Sequence, residues 1–504
     1  MSAEASMFQA TDVVTQLNES PDYHASHVQE LPLPSNFSWG TATAAYQIEG
    51  GADRGGKGKS IWDTFSHIEP SRTNGEHADV ACDHYNRMPE DVDLMSTLDV
   101  DVYRFSLSWS RIIPLGGRED AISEEGIAFY DKLIDKLLEH DIEPVVTLYH
   151  WDLPQGLYDT YGGFLNTDEF RADFIHYARL CFSRFGSRVQ KWVTFNEPYI
   201  ISIFAHLNGT LAPGHCREQG TDTTTEPWRV GHTIILSHAS VVQMYVSEFQ
   251  SSQNGSISIV LNGHFYEPFD SQKQIDIDAA ERRMVFYIGW FGDTIFLGQD
   301  YPIAMQEYLG VRLPKFTSED LELLRQTAQF NAFYGMNHYS TKYARQLTDA
   351  PANDDWTSNI EEGPVNSAGV EIGPKSAQEW LRVAPEGFRK LLNWVWKRYR
   401  RPVIITENGC PCVGEEDLQV AINDTFRQRY FGLYLDAISR AIYEDGVDVM
   451  GYYAWSLMDN YEWAAGYGPR YGIVHVDYET LTRTPKGSAW YLRDTFKRRR
   501  VVLS

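Results

Sequence analysis

The sequence predicts an α/β protein that folds as a single barrel domain. Three observations indicate this fold: eight strand-like runs recur along the chain, helical patterns separate most of them, and the runs are apolar throughout rather than alternating. Apolar strands that alternate with helices are typical of a parallel sheet covered on both faces, and eight such units close into a (β/α)8 TIM barrel. An open doubly wound sheet is the alternative, but no glycine-rich phosphate-binding turn follows the first strand.

The eight predicted strands are rich in β-branched and aromatic residues and end at turn-forming or polar residues. In chain order they are 38–46, 102–109, 143–151, 191–198, 256–263, 332–340, 401–409 and 449–457. Because barrel enzymes carry their chemistry at the carboxyl ends of the strands, the residues that close these runs are the candidates for a site.

Amphipathic helical patterns fill the intervals between the strands. Segment 124–140 places an apolar stripe along one face, and similar patterns occur at 168–186, 230–249, 386–400 and 424–446. The stripe of segment 124–140 consists of Ile127, Leu133, Ile134, Leu137 and Leu138.

The long segment 345–378 is rich in Asp, Asn, Gly, Ser and Pro, so a binding loop or a disordered segment is expected there.

Charge and composition exclude several kinds of partner. With 44 Lys and Arg against 69 Asp and Glu, the net charge is −25. An acidic surface repels phosphate backbones and anionic lipids, so neither nucleic acid nor a membrane is expected as a partner. Residues 1–30 contain no Lys, no Arg and no apolar run, which predicts a polar, disordered extension rather than a secretory signal. The barrel is predicted to occupy 31–496 of a soluble, cytoplasmic protein whose oligomeric state is left open.

The cysteines and histidines predict neither disulfides nor a bound metal. Five cysteines in 504 residues do not make a disulfide framework. No set of His, Cys and Asp has the spacing of a local metal site and no phosphate-binding loop is present, so no cofactor is expected.

Two glutamates end strand-like runs that lie far apart in the chain, Glu197 in KWVTFNEP and Glu407 in RPVIITENG. A carboxylate has no packing reason to lie at the end of a buried strand. Glycoside cleavage requires paired carboxylates, so the repetition predicts a glycosidase site, with a structural ion pair as the alternative for either residue. The other strand ends are polar or aromatic, as a sugar site requires: Gln47, Arg104, His150, Trp151, Asn196, Asn262, Asn337, Tyr339, Asn408 and Trp455.

The motifs around these residues resemble glycoside hydrolase family 1. TFNEP at 194–198 and ITENG at 405–409 are similar to the acid/base and nucleophile signatures of that family. FSWGTATAAYQIEG, YRFSLSW, TLYHWDLP, GMNHYS and WSLMDNYEW accompany them in family order. The resemblance covers 31–496, and GWFGDTIFLGQDYP at 289–302 is most similar to fungal intracellular β-glucosidases.

The resemblance implies a retaining β-glucosidase with a part in cellulose degradation. Its implied substrates carry terminal non-reducing β-D-glucosyl residues, as cellobiose-like oligosaccharides and aryl or alkyl β-glucosides do. Glu407 is the implied nucleophile and Glu197 the implied general acid, which then acts as general base. Arg104 and Tyr339 are expected to hold the pKa of Glu407 low. Asn196 is implied to contact the sugar 2-hydroxyl, and the other implied substrate-binding residues are Gln47, His150, Asn337, Trp380, Trp455, Glu462 and Trp463.

Several of these roles have structural alternatives. Arg104 could form a structural salt bridge, His150 could be a core histidine and Trp380 could pack in the core. Asn262 is a further candidate on the side of the leaving group. Phe164 stands where the family often has Trp or Leu, which leaves the leaving-group preference open.

Two residues exclude subgroups of the family. Thioglucosidases that resemble it carry Gln at the acid/base position, which is Glu197 here, and 6-phosphoglycosidases lack the acidic residue that is Glu462 here. An anionic substrate is therefore not expected, and the predicted partner is a small-molecule β-glucoside. A transglycosylase with the same intermediate and a non-catalytic sugar-binding barrel are the alternative functions, and the presence of both carboxylates disfavours the second.

Overall fold

The computed structural model describes residues 31–500, in which eight parallel strands close into a barrel. These residues contain the strands β1 (Ser38–Ala42), β2 (Val102–Ser106), β3 (Glu143–Tyr149), β4 (Lys191–Asn196), β5 (Ser256–Asn262), β6 (Phe265–Pro268), β7 (Asn331–Asn337), β8 (Thr341–Gln346), β9 (Ile360–Gly363), β10 (Val403–Asn408), β11 (Val449–Trp455), β12 (Val474–Val476) and β13 (Arg483–Pro485). Around the barrel the order is β1, β11, β10, β7, β5, β4, β3, β2. Every barrel strand lies within one residue of a predicted run, so the predicted fold is confirmed.

Helices connect the barrel strands. The ten α-helices of eight or more residues within 31–500 are α1 (Ile61–Ile68), α2 (His84–Thr97), α3 (Glu124–Glu139), α4 (Thr167–Phe185), α5 (Glu226–Glu248), α6 (Gln274–Met284), α7 (Ser318–Thr327), α8 (Pro385–Tyr399), α9 (Thr425–Tyr443) and α10 (Gly487–Arg499). Shorter helices are Ala45–Ile48, Trp109–Ile112, Gln155–Tyr161, Pro198–Ile200, Gln250–Gln253, Trp290–Phe296, Ile303–Leu309 and Leu418–Ile422. The five predicted helices are confirmed as α3, α4, α5, α8 and α9.

The predicted apolar stripe of α3 is wrong at one position. Leu138 is 40% exposed, whereas Leu137 is fully buried. Successive helical residues are about 100° apart around the axis, so Leu138 lies beyond the edge of the stripe that faces the barrel. The large buried side chains of α3 are Ile127, Phe129, Tyr130, Leu133, Ile134 and Leu137.

A small sheet lies outside the barrel and includes part of the segment predicted to be a binding loop or disordered. β6 pairs in parallel with β8, and β8 pairs antiparallel with β9, which lies inside 345–378. The prediction is therefore wrong for β9. This short strand has a polar sequence, but its pairing with β8 and the buried side chain of Ile360 hold it in place. β12 and β13 form a second accessory sheet.

The described chain has two further features that bear on the sequence predictions. No helix within residues 31–500 is long and apolar enough to cross a membrane. Leu33 N–H donates to the carbonyl of Arg499 at 2.8 Å, which ties the segment before β1 to the end of α10. The predicted disordered extension, residues 1–30, lies outside the described residues.

Candidate active site

The two glutamates predicted as a pair lie in one cluster at the carboxyl ends of the barrel strands. Glu197 directly follows β4, and Glu407 lies in β10 opposite Asn337 of β7. Only 6% of Glu197 and 4% of Glu407 is exposed. Burial, and then the charge of Glu407, raise the pKa of Glu197, as expected for two carboxyls that share a buried site.

Both carboxylate oxygens of Glu407 accept a hydrogen bond. Arg104, which is fully buried in β2, donates from Nη1 to Oε1 at 2.7 Å, and the Tyr339 hydroxyl donates to Oε2 at 2.7 Å. Burial raises the pKa of Glu407, and Arg104 and Tyr339 oppose that shift. The expected partners are therefore present, but the expectation that they hold the pKa low is wrong, because burial exceeds their effect.

Glu197 has weaker support for its charged form. Asn337 donates from Nδ2 to its Oε1 at 2.6 Å. Burial and then the charge of Glu407 raise the pKa of Glu197 well above its ordinary value, and Asn337 and Arg104 offset only part of this. The cation and the phenol lie on Glu407, so Glu197 is the carboxyl that keeps a proton near neutral pH.

Two amides connect the carboxyl groups. Asn196 accepts at Oδ1 from Arg104 Nη2 at 2.7 Å and from Asn337 Nδ2 at 3.1 Å. Thr406 donates its hydroxyl to Asn337 Oδ1 at 2.7 Å, which directs the Asn337 amide nitrogen toward Glu197. Arg104 therefore forms a buried ion pair with Glu407 and also orients Asn196 in the site. The sequence analysis missed Thr406, although its place directly before Glu407 was a signal.

His150 presents a free donor to the site. Asn196 Nδ2 donates to His150 Nε2 at 3.1 Å, so the neutral ring carries its proton on Nδ1. That Nδ1 is buried and has no hydrogen-bond partner in residues 31–500. Burial, and then Arg104, hold the pKa of His150 well below its usual range, so the ring is neutral. The alternative that His150 is a core histidine with both ring nitrogens hydrogen-bonded is therefore excluded.

Gln47 presents the complementary acceptor. Its Nε2 donates to Asn460 Oδ1 at 2.9 Å and to the Tyr461 carbonyl at 2.8 Å, which fixes the amide. Its buried Oε1 has no partner within the described chain. Nε2 also lies 3.4 Å from Glu462 Oε2. Asn460 was not predicted from the sequence, although it directly precedes the predicted Glu462 region.

Glu462 differs from the carboxylate that the sequence suggests. Burial, and then the charge of Glu407, raise its pKa to about 8, and the Gln47 amide opposes the shift. In the free site Glu462 is therefore mostly protonated at pH 7 and ionises as the pH rises through 8. Repulsion of an anionic substrate by this group depends on pH.

Aromatic rings cover the same side of the site. Trp455 stacks with His150 at 5.9 Å between centroids and 15° between planes. Trp463 is 6.0 Å from His150 and 4.7 Å from Trp151. Trp151 also donates from Nε1 to the Asn196 carbonyl at 3.0 Å. Such rings present flat apolar surfaces to the C–H faces of a sugar.

A second group of residues lies beyond Tyr339. Trp380 is 44% exposed and contacts Tyr339 edge-on at 6.1 Å, so it does not pack in the core. His264 is 6.2 Å from Trp380. Asn262 donates to the Tyr287 hydroxyl at 2.8 Å and has a buried Oδ1 that accepts no hydrogen bond from a described residue. His264 and Tyr287 were not found from the sequence.

Phe164 does not present a surface to the site. It is 1% exposed and packs on Phe170 with 4.2 Å between ring centroids, and it also contacts Tyr149 and Phe195. Phe164 is therefore a core residue, and the leaving-group preference stays open.

Three non-glycine residues of the site have left-handed backbone conformations. Glu197, Trp151 and Trp463 have φ of 52°, 76° and 53°. Such conformations cost about 1–3 kcal/mol each and persist where the surrounding structure enforces them. The backbone is therefore strained at Glu197 and at two residues of the aromatic wall, which is formed by Trp151, Trp455 and Trp463.

Fold and site together define a class of protein. A closed barrel that carries two buried carboxyls with unequal partners, unpaired polar atoms and an aromatic wall is the arrangement of a glycoside hydrolase. The sequence model for glycosyl hydrolase family 1 matches residues 29–501, and the chain belongs to that family.

Known relatives agree with this assignment. The chain is 48% identical to beta-glucosidase 1B of Phanerodontia chrysosporium over 478 residues, which cover 94% of this chain and 87% of that protein. It is similar to the β-glucosidase of Humicola insolens in complex with glucose, with a TM-score of 0.90, 45% identity and coverage of 93% and 99% of the two chains. The β-glucosidase 2 of Trichoderma reesei in complex with Tris gives a TM-score of 0.89 at 45% identity, covering 93% and 100%. The resemblance to fungal members is confirmed.

Proposed function

We propose that the protein is a retaining β-glucosidase that releases terminal non-reducing β-D-glucosyl residues by double displacement. The observation that carries the proposal is the unequal partnering of the carboxyls. Glu407 is bound at both oxygens by a cation and a phenol, whereas Glu197 receives one amide. The family and the named activities of the relatives support the same reaction. The cytoplasmic location and a part in cellulose degradation stay predictions from the sequence.

In the first step Glu407 attacks the anomeric carbon while Glu197 gives its proton to the glycosidic oxygen. The bond between the anomeric carbon and that oxygen breaks, the alcohol leaves, and a glucosyl ester of Glu407 forms. In the second step Glu197, now a carboxylate, takes a proton from a water molecule that attacks the same carbon, which releases glucose and free Glu407. Glu197 is protonated again at the end.

The glucosyl unit is proposed to bind against the aromatic wall. His150 Nδ1–H can donate to a sugar hydroxyl and Gln47 Oε1 can accept from one, because both atoms are buried without a partner in residues 31–500. Trp455 and Trp463 would face the ring, and Glu462 would bind a hydroxyl next to Gln47. The leaving group would lie toward Trp380 and Asn262.

Tyr339→Phe is expected to shift the acid limb of the pH profile of kcat/KM upward. The phenol hydrogen bond lowers the pKa of Glu407, so its removal raises the pH at which the nucleophile ionises. A hydrogen bond to a charged group contributes about 1.5–3 kcal/mol, and one pKa unit is about 1.4 kcal/mol, so the expected shift is about one to two units. Tyr471→Phe is the control, because that ring lies 5.9 Å from Tyr339. If the acid limb of Tyr339→Phe is unchanged, Tyr339 does not influence the ionisation of Glu407.

Discrimination against 6-phosphorylated glucosides tests the proposed substrate class. A phosphate carries about 1.5–2 negative charges, which ionised Glu462 would repel. Because the pKa of Glu462 is raised to about 8, the preference of kcat/KM for p-nitrophenyl β-glucoside over its 6-phosphate should grow between pH 6 and pH 8.5. Glu462→Ser should lower kcat/KM for the plain glucoside by about 10-fold to 100-fold and narrow that preference. Glu462→Gln is the matched control, since it removes the charge and keeps the size. Equal cleavage of both substrates by the wild type would contradict the proposal that the enzyme acts on uncharged glucosides.

A further inference from the structure

Two histidines and an aspartate converge on the surface near α1, outside the site described above. His67 lies near the end of α1, and His77 and Asp79 lie on the loop between α1 and α2. Their possible ligand atoms all lie within 4.8 Å of one another. His67 Nε2 is 3.2 Å from Asp79 Oδ2, and His77 Nδ1 is 3.3 Å from Asp79 Oδ1. The side chains are 46%, 45% and 36% exposed, so solvent ions reach them.

The distance from each histidine nitrogen to its nearer Asp79 oxygen matches the distance between two ligands of a tetrahedral zinc ion, and all the ligand atoms lie within 4.8 Å of one another. Zinc binds imidazole nitrogen and carboxylate oxygen at about 2.0–2.2 Å, so two tetrahedral ligands lie about 3.3 Å apart. Two imidazoles and one carboxylate are also a donor set that suits zinc and its neighbours in the first transition row, whereas calcium and magnesium prefer oxygen ligands alone.

The hydrogen bonds of His67 determine which of its ring nitrogens can bind a metal ion. His67 Nδ1 lies 2.7 Å from the Asp63 carbonyl, which can only accept, so the ring proton is on Nδ1. Nε2 is then the ring nitrogen that faces Asp79 Oδ2 and can bind a metal ion through its lone pair. A histidine that donates its other N–H to a carbonyl is the usual arrangement of a metal ligand.

We propose that His67, His77 and Asp79 form a binding site for a divalent transition-metal ion, with zinc the best fit and water as the fourth ligand. The ion would join α1 to the loop that supports the sugar-binding segment. Tyr467 donates its hydroxyl to the His77 carbonyl at 2.9 Å and its N–H to Glu76 Oε2 at 2.8 Å. Tyr467 follows Glu462 and Trp463 by a few residues, so the bound ion stiffens the support of that wall.

Zinc titration of the tag-free, chelator-treated full chain tests the proposal. Because an ion that binds only the folded state stabilises it, ZnCl2 at about 100 times its Kd should raise Tm by about 2–3 °C. CoCl2 should give the visible absorption bands of tetrahedral cobalt. His67→Ala and His77→Ala should each weaken zinc binding by more than about 10-fold. Loss of a residue that only hydrogen-bonds to a metal ligand already lowers metal affinity by about 10–100-fold, and these two residues are proposed as ligands themselves.

His140→Ala is the matched control. His140 Nε2 lies 3.0 Å from Asp93 Oδ1, the same kind of histidine–carboxylate contact, but the third group there is Lys136 rather than a second imidazole. This variant should bind zinc as the wild type does. Turnover of an aryl β-glucoside by each variant confirms that it is folded. Equal zinc affinity in the wild type, His67→Ala and His77→Ala, or no zinc-dependent rise in Tm, would overturn the proposal.

Discussion

Glu407→Ala is expected to abolish hydrolysis of β-glucosides, with a loss of kcat on the order of 10^5-fold to 10^6-fold. The variant has no group to form the glucosyl ester, and removal of a covalent nucleophile has an effect of this size in other enzymes. Steady-state hydrolysis of p-nitrophenyl β-glucoside measures it. A loss below about 100-fold would exclude Glu407 as the nucleophile.

The loss must be separated from damage to the fold. Arg104 is fully buried and loses its partner in this variant, and breaking a buried ion pair costs about 3–5 kcal/mol. Glu49→Gln offers a matched control, because Glu49 forms a similar buried pair with Arg111 at 2.9 Å. It should lower Tm without a comparable loss of kcat. Glu407→Gln, which preserves volume, should be as inactive as Glu407→Ala.

Glu197→Ala is expected to give a loss that depends on the leaving group. General acid catalysis contributes about 10^2-fold to 10^4-fold, and a poor leaving group such as the second glucose of cellobiose needs it fully. 2,4-Dinitrophenolate needs no proton to leave, so kcat/KM for its β-glucoside should fall far less. Breakdown of the intermediate should then be slow, because the general base is also missing, and a burst of dinitrophenolate should precede the steady state.

The pH profile of the same variant gives an independent check. Glu197 has a pKa raised well above its ordinary value, and its deprotonation should produce the alkaline limb of kcat/KM in the wild type. That limb should disappear in Glu197→Ala. Equal losses on cellobiose and on the dinitrophenyl glucoside would contradict the role of Glu197 as general acid.

The barrel and its paired glutamates could be predicted because their signals are local. Each strand is a short apolar run, and a carboxylate that ends such a run stands out in the sequence. Once the strands close into a barrel, their carboxyl ends must converge, which brings Glu197 and Glu407 together. The positions of Gln47, His150 and Trp455 follow from the same reasoning.

What could not be predicted depends on contacts between distant segments. Thr406 orients Asn337 from a neighbouring strand, and a single sequence does not show that pairing. The pKa of Glu407 is a balance between burial and its two partners, and only the structure gives the extent of burial. The cluster of His67, His77 and Asp79 likewise forms only when the loop folds back on α1.

Rescue of both variants with azide tests the roles of the two glutamates most directly. With 2,4-dinitrophenyl β-glucoside, azide should enter Glu407→Ala on the face opposite the leaving group and give α-glucosyl azide by one inversion. In Glu197→Ala azide should attack the glucosyl ester of Glu407 and give β-glucosyl azide by a second inversion. Proton NMR of the anomeric centre distinguishes the products. Opposite anomers are the expected result, and the same anomer from both variants would contradict the assignment of nucleophile and acid/base.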